Sequence, residues 1–171
     1  LPNMAAMSES TAEAIRRYVA DGGVLISTYT TSLYDETGVQ RDNFLLSDLF
    51  GVDFNGYSDY SIGYLDQYST PIDGMLPEIP LLFKDSGYQQ PGNRRPLSCS
   101  VHEPTEVYAT ITDPLIEADW SRQYHIFHDH APQGKRTDRP GLVAHRYGAG
   151  LSIYLALPIL ESYYFKPNPW Y

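Results

Sequence analysis

Cysteine is nearly absent from this 171-residue chain: Cys99 stands alone, so no internal disulfide can staple the fold and stability must come from a packed core. Long apolar runs are absent too, and no stretch approaches the roughly 20 residues that a membrane-crossing helix needs. Positive charge is scarce. Lys and Arg number 12 against 21 Asp and Glu, giving a net charge of −9 and a pI near 4.8. That balance argues against nucleic acid or an anionic membrane as a partner. Residues 1–7 lack the basic start and apolar centre of a secretory signal, and no Asn-x-Ser/Thr sequon occurs. A cytoplasmic setting is therefore the expectation. No internal repeat or low-complexity tract is visible, and no motif calls for a cofactor.

What is present is a globular composition, 42% hydrophobic and 19% charged, of a length suited to one domain over 1–171. The chain is organised around residues 8–36. Ser10 and Glu13 have capping-box spacing, with Ser8 as a rival N-cap. Ala12, Ile15 and Val19, with Tyr18 beside them, recur at helical spacing, and Gly22-Gly23 supplies the stop. Val24-Leu25-Ile26 reads as a strand covered on both faces. A helix followed at once by such a strand is half of a parallel α/β unit, whose ligands collect beyond the carboxyl ends of strands. That place is the loop 27–36.

Further along, Asp42 or Asn43 can cap a short helix that ends at Phe50-Gly51, and Val52-Asp53-Phe54 opens a strand. Tyr57, Tyr60, Tyr64 and Tyr68 follow at near-helical spacing among turn-forming residues; irregular or strand structure with half-buried rings is preferred to a sugar-stacking platform. Strands are expected over 81–83, 97–101 and 106–112, the last because Val107, Ala109 and Ile111 alternate with polar-edged residues. Residues 113–140 lack periodicity and predict a long surface excursion anchored by Trp120, Tyr124, Ile126 and Phe127. Residues 142–145 and 151–155 flank a glycine-bearing turn and predict a β-hairpin, after which Pro158 can open a last short helix.

Leu1-Pro2-Asn3, Arg16-Arg17-Tyr18-Val19, Gly22-Gly23, Thr31-Ser32-Leu33-Tyr34-Asp35-Glu36 and Leu46-Ser47-Asp48-Leu49-Phe50-Gly51-Val52 together resemble the β-galactosidase trimerisation domain. Arg146-Tyr147-Gly148-Ala149-Gly150 and Leu157-Pro158-Ile159 extend the resemblance. It implies an α/β, flavodoxin-like (class I glutamine amidotransferase-like) parallel sheet flanked by helices, with a C-terminal β-hairpin and without its N-terminal strands. It also implies a C-terminal fragment of a longer bacterial glycoside hydrolase. The implied role is non-catalytic: a homo-oligomer, with three subunits expected, that also packs on the catalytic barrel of the same parent chain.

The residues themselves support no catalytic or cofactor-binding assignment. An amidotransferase needs a cysteine nucleophile on a tight turn after a strand, and 27–32 holds neither cysteine nor glycine. Ser27, Thr30, Thr31 and Ser32 read as turn and capping hydroxyls. Asp35-Glu36 are adjacent, whereas glycosidase carboxyl groups face each other across the scissile bond. His125, His128 and His130 with Asp129 are weak metal candidates, since no second cluster with ligand spacing exists and His102 and His145 are isolated in sequence. Tyr57, Tyr60, Tyr64, Trp120 and Tyr124 are candidate subunit or sugar contacts, tyrosine and tryptophan being enriched where proteins meet. Two alternatives stay open: an α/β hydrolase or metal-dependent enzyme using the three histidines, and a carbohydrate-binding module using 57–68.

Overall fold

The computed structural model describes residues 1–60, 62–69, 79–84, 95–115 and 132–160. Helix α1 spans Glu9–Ala20, and strand β1 follows over Val24–Thr28. A four-residue α2, Ser47–Phe50, leads into β2, Val52–Tyr57. The remaining strands are β3 (Ile62–Asp66), β4 (Leu81–Lys84), β5 (Leu97–Val101), β6 (Glu106–Pro114), β7 (Gln133–Tyr147) and β8 (Gly150–Leu155).

Six strands form one sheet in the order β1-β8-β7-β6-β3-β4, and β2 pairs with β5 in a second sheet of two. Among the described strands only β1 and β8 run parallel; the other pairs are antiparallel. Among the described residues the fold is therefore mostly β, with 46% strand and 15% helix, and its mixed sheet curls into a half-barrel. This corrects the expected flavodoxin-like parallel sheet flanked by helices. Parallel neighbours need long crossovers, usually helical. Among the described residues α-helix is confined to α1, the single turn of α2 and residues 159–160, directly after Pro158. The middle of the chain instead supplies alternating segments that pair antiparallel. The register shifts repeatedly between β6 and β7, and such bulges bend strands and increase twist. The expected C-terminal hairpin is present, with Leu142 opposite Leu155 and Tyr147 opposite Gly150.

Local signals resolve in detail. Ser8, not Ser10, caps α1: its hydroxyl accepts Thr11 N–H at 3.1 Å. Gly51 ends α2 with φ 70°, while Asn43 sits apart from the helix and binds Phe44 N–H and Phe54 N–H with Oδ1. The expected surface excursion over 113–140 is strand at both ends, since β6 reaches Pro114 and β7 begins at Gln133.

The core is built on the β1–β8–β7 end. Tyr154 stacks on Phe50 at 4.7 Å, and Phe44 meets both rings edge-on. Each such ring pair adds about 0.5–1.5 kcal/mol beyond the area it buries. Helix α1 buries Ala12 and Val19 against this layer. Its carboxyl end rests on the β7–β8 turn, where Ala149 N–H bonds Ala20 O at 2.9 Å. Gly150 permits that approach, because a Cβ there would lie 2.1 Å from Val19 O.

One strand departs from its sequence reading in a way that matters below. Val24-Leu25-Ile26 is covered on one face only: Leu25 is buried, but Val24 and Ile26 are 55% and 56% exposed. β1 lies at the sheet edge, and α1 covers only the side that carries Leu25 and Ser27.

Candidate functional site

The loop after β1 is the place where the sequence directs attention. Tyr29 leaves the strand with φ 54° and Ser32 follows with φ 64°. Positive φ at non-glycine residues is strained and persists only where surroundings hold it. Here every anchor is identifiable. Tyr29 N–H bonds Leu155 O at 2.7 Å, and its carbonyl accepts the buried Tyr154 hydroxyl at 2.7 Å. Leu1 lies beside β1: its amine donates to Ile26 O at 2.6 Å, and Thr28 N–H donates to Leu1 O at 3.3 Å.

The loop hydroxyls are occupied in the same task. Thr28 Oγ1 accepts Asn3 N–H, and Thr30 Oγ1 donates to Asn3 Oδ1 at 2.6 Å. Thr31 Oγ1 donates to Thr28 O at 2.7 Å and accepts Met4 N–H at 3.2 Å. Ser32 Oγ accepts Leu46 N–H at 3.2 Å. All four residues, with Ser27, are buried. A catalytic hydroxyl must be accessible and must donate its proton to a base. These hydroxyls are neither exposed nor directed at an imidazole. At the loop's far end Asp35 Oδ1 accepts Thr37 N–H, Thr37 Oγ1 and Val39 N–H, and these bonds hold its carboxyl below the usual range. The pair Asp35-Glu36 therefore includes one carboxylate already committed to a turn.

A second polar constellation, spread over 43–145, was not legible from spacing. His102 Nε2 lies 2.8 Å from Asp53 Oδ2, and Asn43 Nδ2 donates to the other oxygen of Asp53 at 2.6 Å. Burial works against the Asp53 charge, but Asn43 and His102 outweigh it and hold its pKa down. Next to them Thr105 Oγ1 donates to Gly51 O at 3.0 Å and touches His145 Nδ1 at 2.9 Å. Its one proton is spent on Gly51, so Nδ1 of His145 is the donor in the second bond. Burial, then the neighbouring His102, lowers the His145 pKa. The arrangement cannot activate Thr105, since the hydroxyl proton points away from the imidazole. It ties the end of α2 to the β5–β6 turn and to β7. Its members lie far apart in sequence, which is why 102 and 145 read as isolated.

The remaining candidates separate. Tyr57 is 37% exposed; its hydroxyl lies 3.4 Å from that of Tyr34, and burial raises its pKa. Tyr60 is half-buried. Tyr64 is only 7% exposed and packs with Ile62 and Leu82, which makes it a poor contact residue. Trp120, Tyr124, His125, His128 and His130 lie outside the described residues. Among the described residues no three His, Cys, Asp or Glu side chains gather as a metal site. Cys99 is buried on β5, and burial pushes its thiol up to about 12, far from a reactive thiolate. No described helix is long and apolar enough to cross a membrane.

No known family profile matches the chain, and no curated protein does. Solved structures do resemble it. The GH42 β-galactosidase Gan42B of G. stearothermophilus aligns with TM-score 0.58 and 18% identity, over 90% of this chain and 18% of its own. The cold-adapted β-galactosidase of Rahnella sp. R3 aligns with TM-score 0.61 and 18% identity, over 91% and 19%. An exo-β-1,4-mannosidase of Opitutaceae bacterium strain TAV5 aligns with TM-score 0.53 and 12% identity, over 92% and 20%. At these identities the likeness is one of fold, and the chain spans about a fifth of the length of each protein.

Proposed function

We propose that this chain is a non-catalytic domain of a glycoside hydrolase, serving homo-oligomer assembly and packing on a catalytic barrel in the same parent chain. The observation that carries the reading is the strand-end loop. The hydroxyls of Thr28, Thr30, Thr31 and Ser32 bond residues 1–4, 28 and 46, which supports a structural role for the position where an α/β enzyme would place its nucleophile. The fold likeness supports the parentage, because the similar proteins carry glycosidase names and the likeness occupies only a fifth of each. Three subunits is the expected order, and the acid and nucleophile belong to the barrel.

Two measurements test this. The purified chain should hydrolyse neither glutamine nor aryl β-galactosides above buffer rates. Turnover abolished by Thr30→Ala or His128→Ala would replace the assembly reading with an enzymatic one. Light scattering on the parent protein should return a defined oligomer; a parent that stays monomeric at high concentration removes the assembly role.

A further inference from the structure

Strand β2 carries an Asn-Gly pair that the assembly reading does not use. Asn55-Gly56 is a dipeptide that ordinarily marks a tight turn, yet here it lies within the strand. The ladder shows how β2 accommodates it. Phe54 pairs with Cys99 and Tyr57 with Leu97, so three steps along β2 face two along β5. The extra residue makes a β-bulge, where the ladder is locally disrupted. Neither Asn55 nor Gly56 has a partner in the register. Gly56 takes a φ of 113°, and a Cβ built on it would meet nothing within 4 Å. Asn55 is exposed.

We propose that Asn55 is a site of spontaneous deamidation in the folded chain, with water as the co-reactant. Gly56 N attacks Asn55 Cγ and closes a five-membered imide. The Cγ–NH2 bond breaks, and ammonia leaves with the proton that Gly56 N gives up. Water then opens the ring. Opening at Cγ yields an aspartate; opening at the main-chain carbonyl yields an isoaspartate, whose chain runs through the β-carbon. The side-chain amide and water thus become a carboxylate and ammonium, with no change of oxidation state. Ring closure needs a free side-chain amide, a backbone able to turn, and no bulk on the attacking residue. The bulge, the exposure of Asn55 and the bare Gly56 meet all three. Two other asparagines show the contrast. Asn43 is held by three bonds, since Oδ1 accepts Phe44 N–H and Phe54 N–H while Nδ2 donates to Asp53, and a phenylalanine follows it. Asn3 Oδ1 accepts the Thr30 hydroxyl, and Met4 follows. Either product adds a negative charge to a chain that already carries −9. Isoaspartate also lengthens the main chain between Phe54 and Tyr57, whose rings meet edge-on at 5.5 Å.

The test is incubation of the folded chain in mildly alkaline buffer, beside the same chain unfolded in guanidinium chloride. Peptide mapping by mass spectrometry follows the acid formed at each asparagine. Asn55 should convert more than about tenfold faster than Asn3 and Asn43, a difference of about 1.4 kcal/mol in barrier. Its rate in the folded chain should stay within about tenfold of its rate in the unfolded one, because the bulge leaves the pair open. The rate should rise with pH, since the attacking nitrogen must give up its proton. Asn55→Gln, whose imide ring would have to be six-membered, should remove the new acidic band from isoelectric focusing and keep the circular dichroism. An Asn55 that converts no faster than Asn3 and Asn43 overturns the proposal. So does protection of Asn55 by more than about tenfold on folding, which would mean that the ladder holds the pair closed. An acidic band that forms equally in Asn55→Gln overturns it as well.

Discussion

The two sides of strand β1 are made of the same kind of residue and behave oppositely. On one side Leu25 and Ser27 lie under α1, continuous with Tyr154, Ser152 and His145 across the sheet. On the other, Val24 and Ile26 project from the edge, more than half exposed. An apolar run of three cannot distinguish these cases, because the alternation that separates faces needs polar residues on the open side. Burial is decided by what the rest of the chain brings to each face. Here the chain brings α1, the Phe44–Phe50 pair and the Tyr29 loop to one side only.

The comparison predicts a steep difference in mutational cost. The largest effect belongs to Tyr154, fully buried and stacked on Phe50, with its hydroxyl on the strained Tyr29 carbonyl. Tyr154→Ala should cost about 3–5 kcal/mol by urea unfolding, combining cavity, stacking and an orphaned carbonyl. A loss under about 1 kcal/mol would mean that this face is not the core. Next is Gly150→Ala. The new Cβ would meet Val19 O and Gly23 O at 2.1 and 2.3 Å, both backbone atoms that cannot rotate away. Separation of α1 from the β7–β8 turn should cost about 1–3 kcal/mol and lower the thermal midpoint.

The same closed side carries a pH dependence. His145 has its pKa lowered in the folded chain. As pH falls through the ordinary histidine value near 6.5, the unfolded chain takes up a proton that the folded chain resists, so stability should fall on acidification from about pH 7. Asp53 and Asp35, both held below the usual carboxylate value, add a second loss as pH drops below about 4 and they are protonated. Urea midpoints taken from pH 8 to pH 3 should show both steps, and His145→Gln should flatten the first. A first step that survives this substitution would place the responsible group elsewhere.

These residues also show what the sequence could disclose. Ser8, Gly51 and the hairpin at 146–150 were legible because caps and turns are local and depend on one or two side chains. The β-rich architecture was obscured by the start of the chain. A helix followed by Val24-Leu25-Ile26 is a real parallel unit, and β1 does pair parallel, but with β8 across the whole chain. The helix-flanked sheet was what the family resemblance implied, and the described residues after β1 are mostly strand instead. The bulged antiparallel strands β6 and β7 were legible only in part, since bulges break the alternation used to find them. The lack of cysteine in 27–32 was visible in the residue types. The pairing of His102 with Asp53, and of His145 with Thr105, depends on long-range contacts that no spacing rule encodes.

The smallest effects sharpen the comparison most, because they reverse the usual expectation about core and surface. Ser27 and Ser152 are fully buried on the closed side, and neither hydroxyl has a hydrogen-bond partner among the described residues. Their paired neighbours, Tyr154 for Ser27 and Leu25 for Ser152, belong to the same buried cluster as Ala12 and Val19 of α1. The oxygen atoms are not required, and a buried hydroxyl without a partner keeps its desolvation cost uncompensated. Ser152→Ala preserves the size and removes that cost, so it should raise stability by about 1 kcal/mol. Ile26→Thr, on the open side, exchanges one β-branched residue for another at a position already in water. At concentrations too low for association it should change stability by less than about 0.5 kcal/mol. Urea unfolding of both variants at about 2 µM tests the pair. A loss of stability in Ser152→Ala would mean that the hydroxyl has a partner in solution. A large loss in Ile26→Thr would mean that the open face is covered within a single chain, which would close the contrast on which the two sides of β1 have been read.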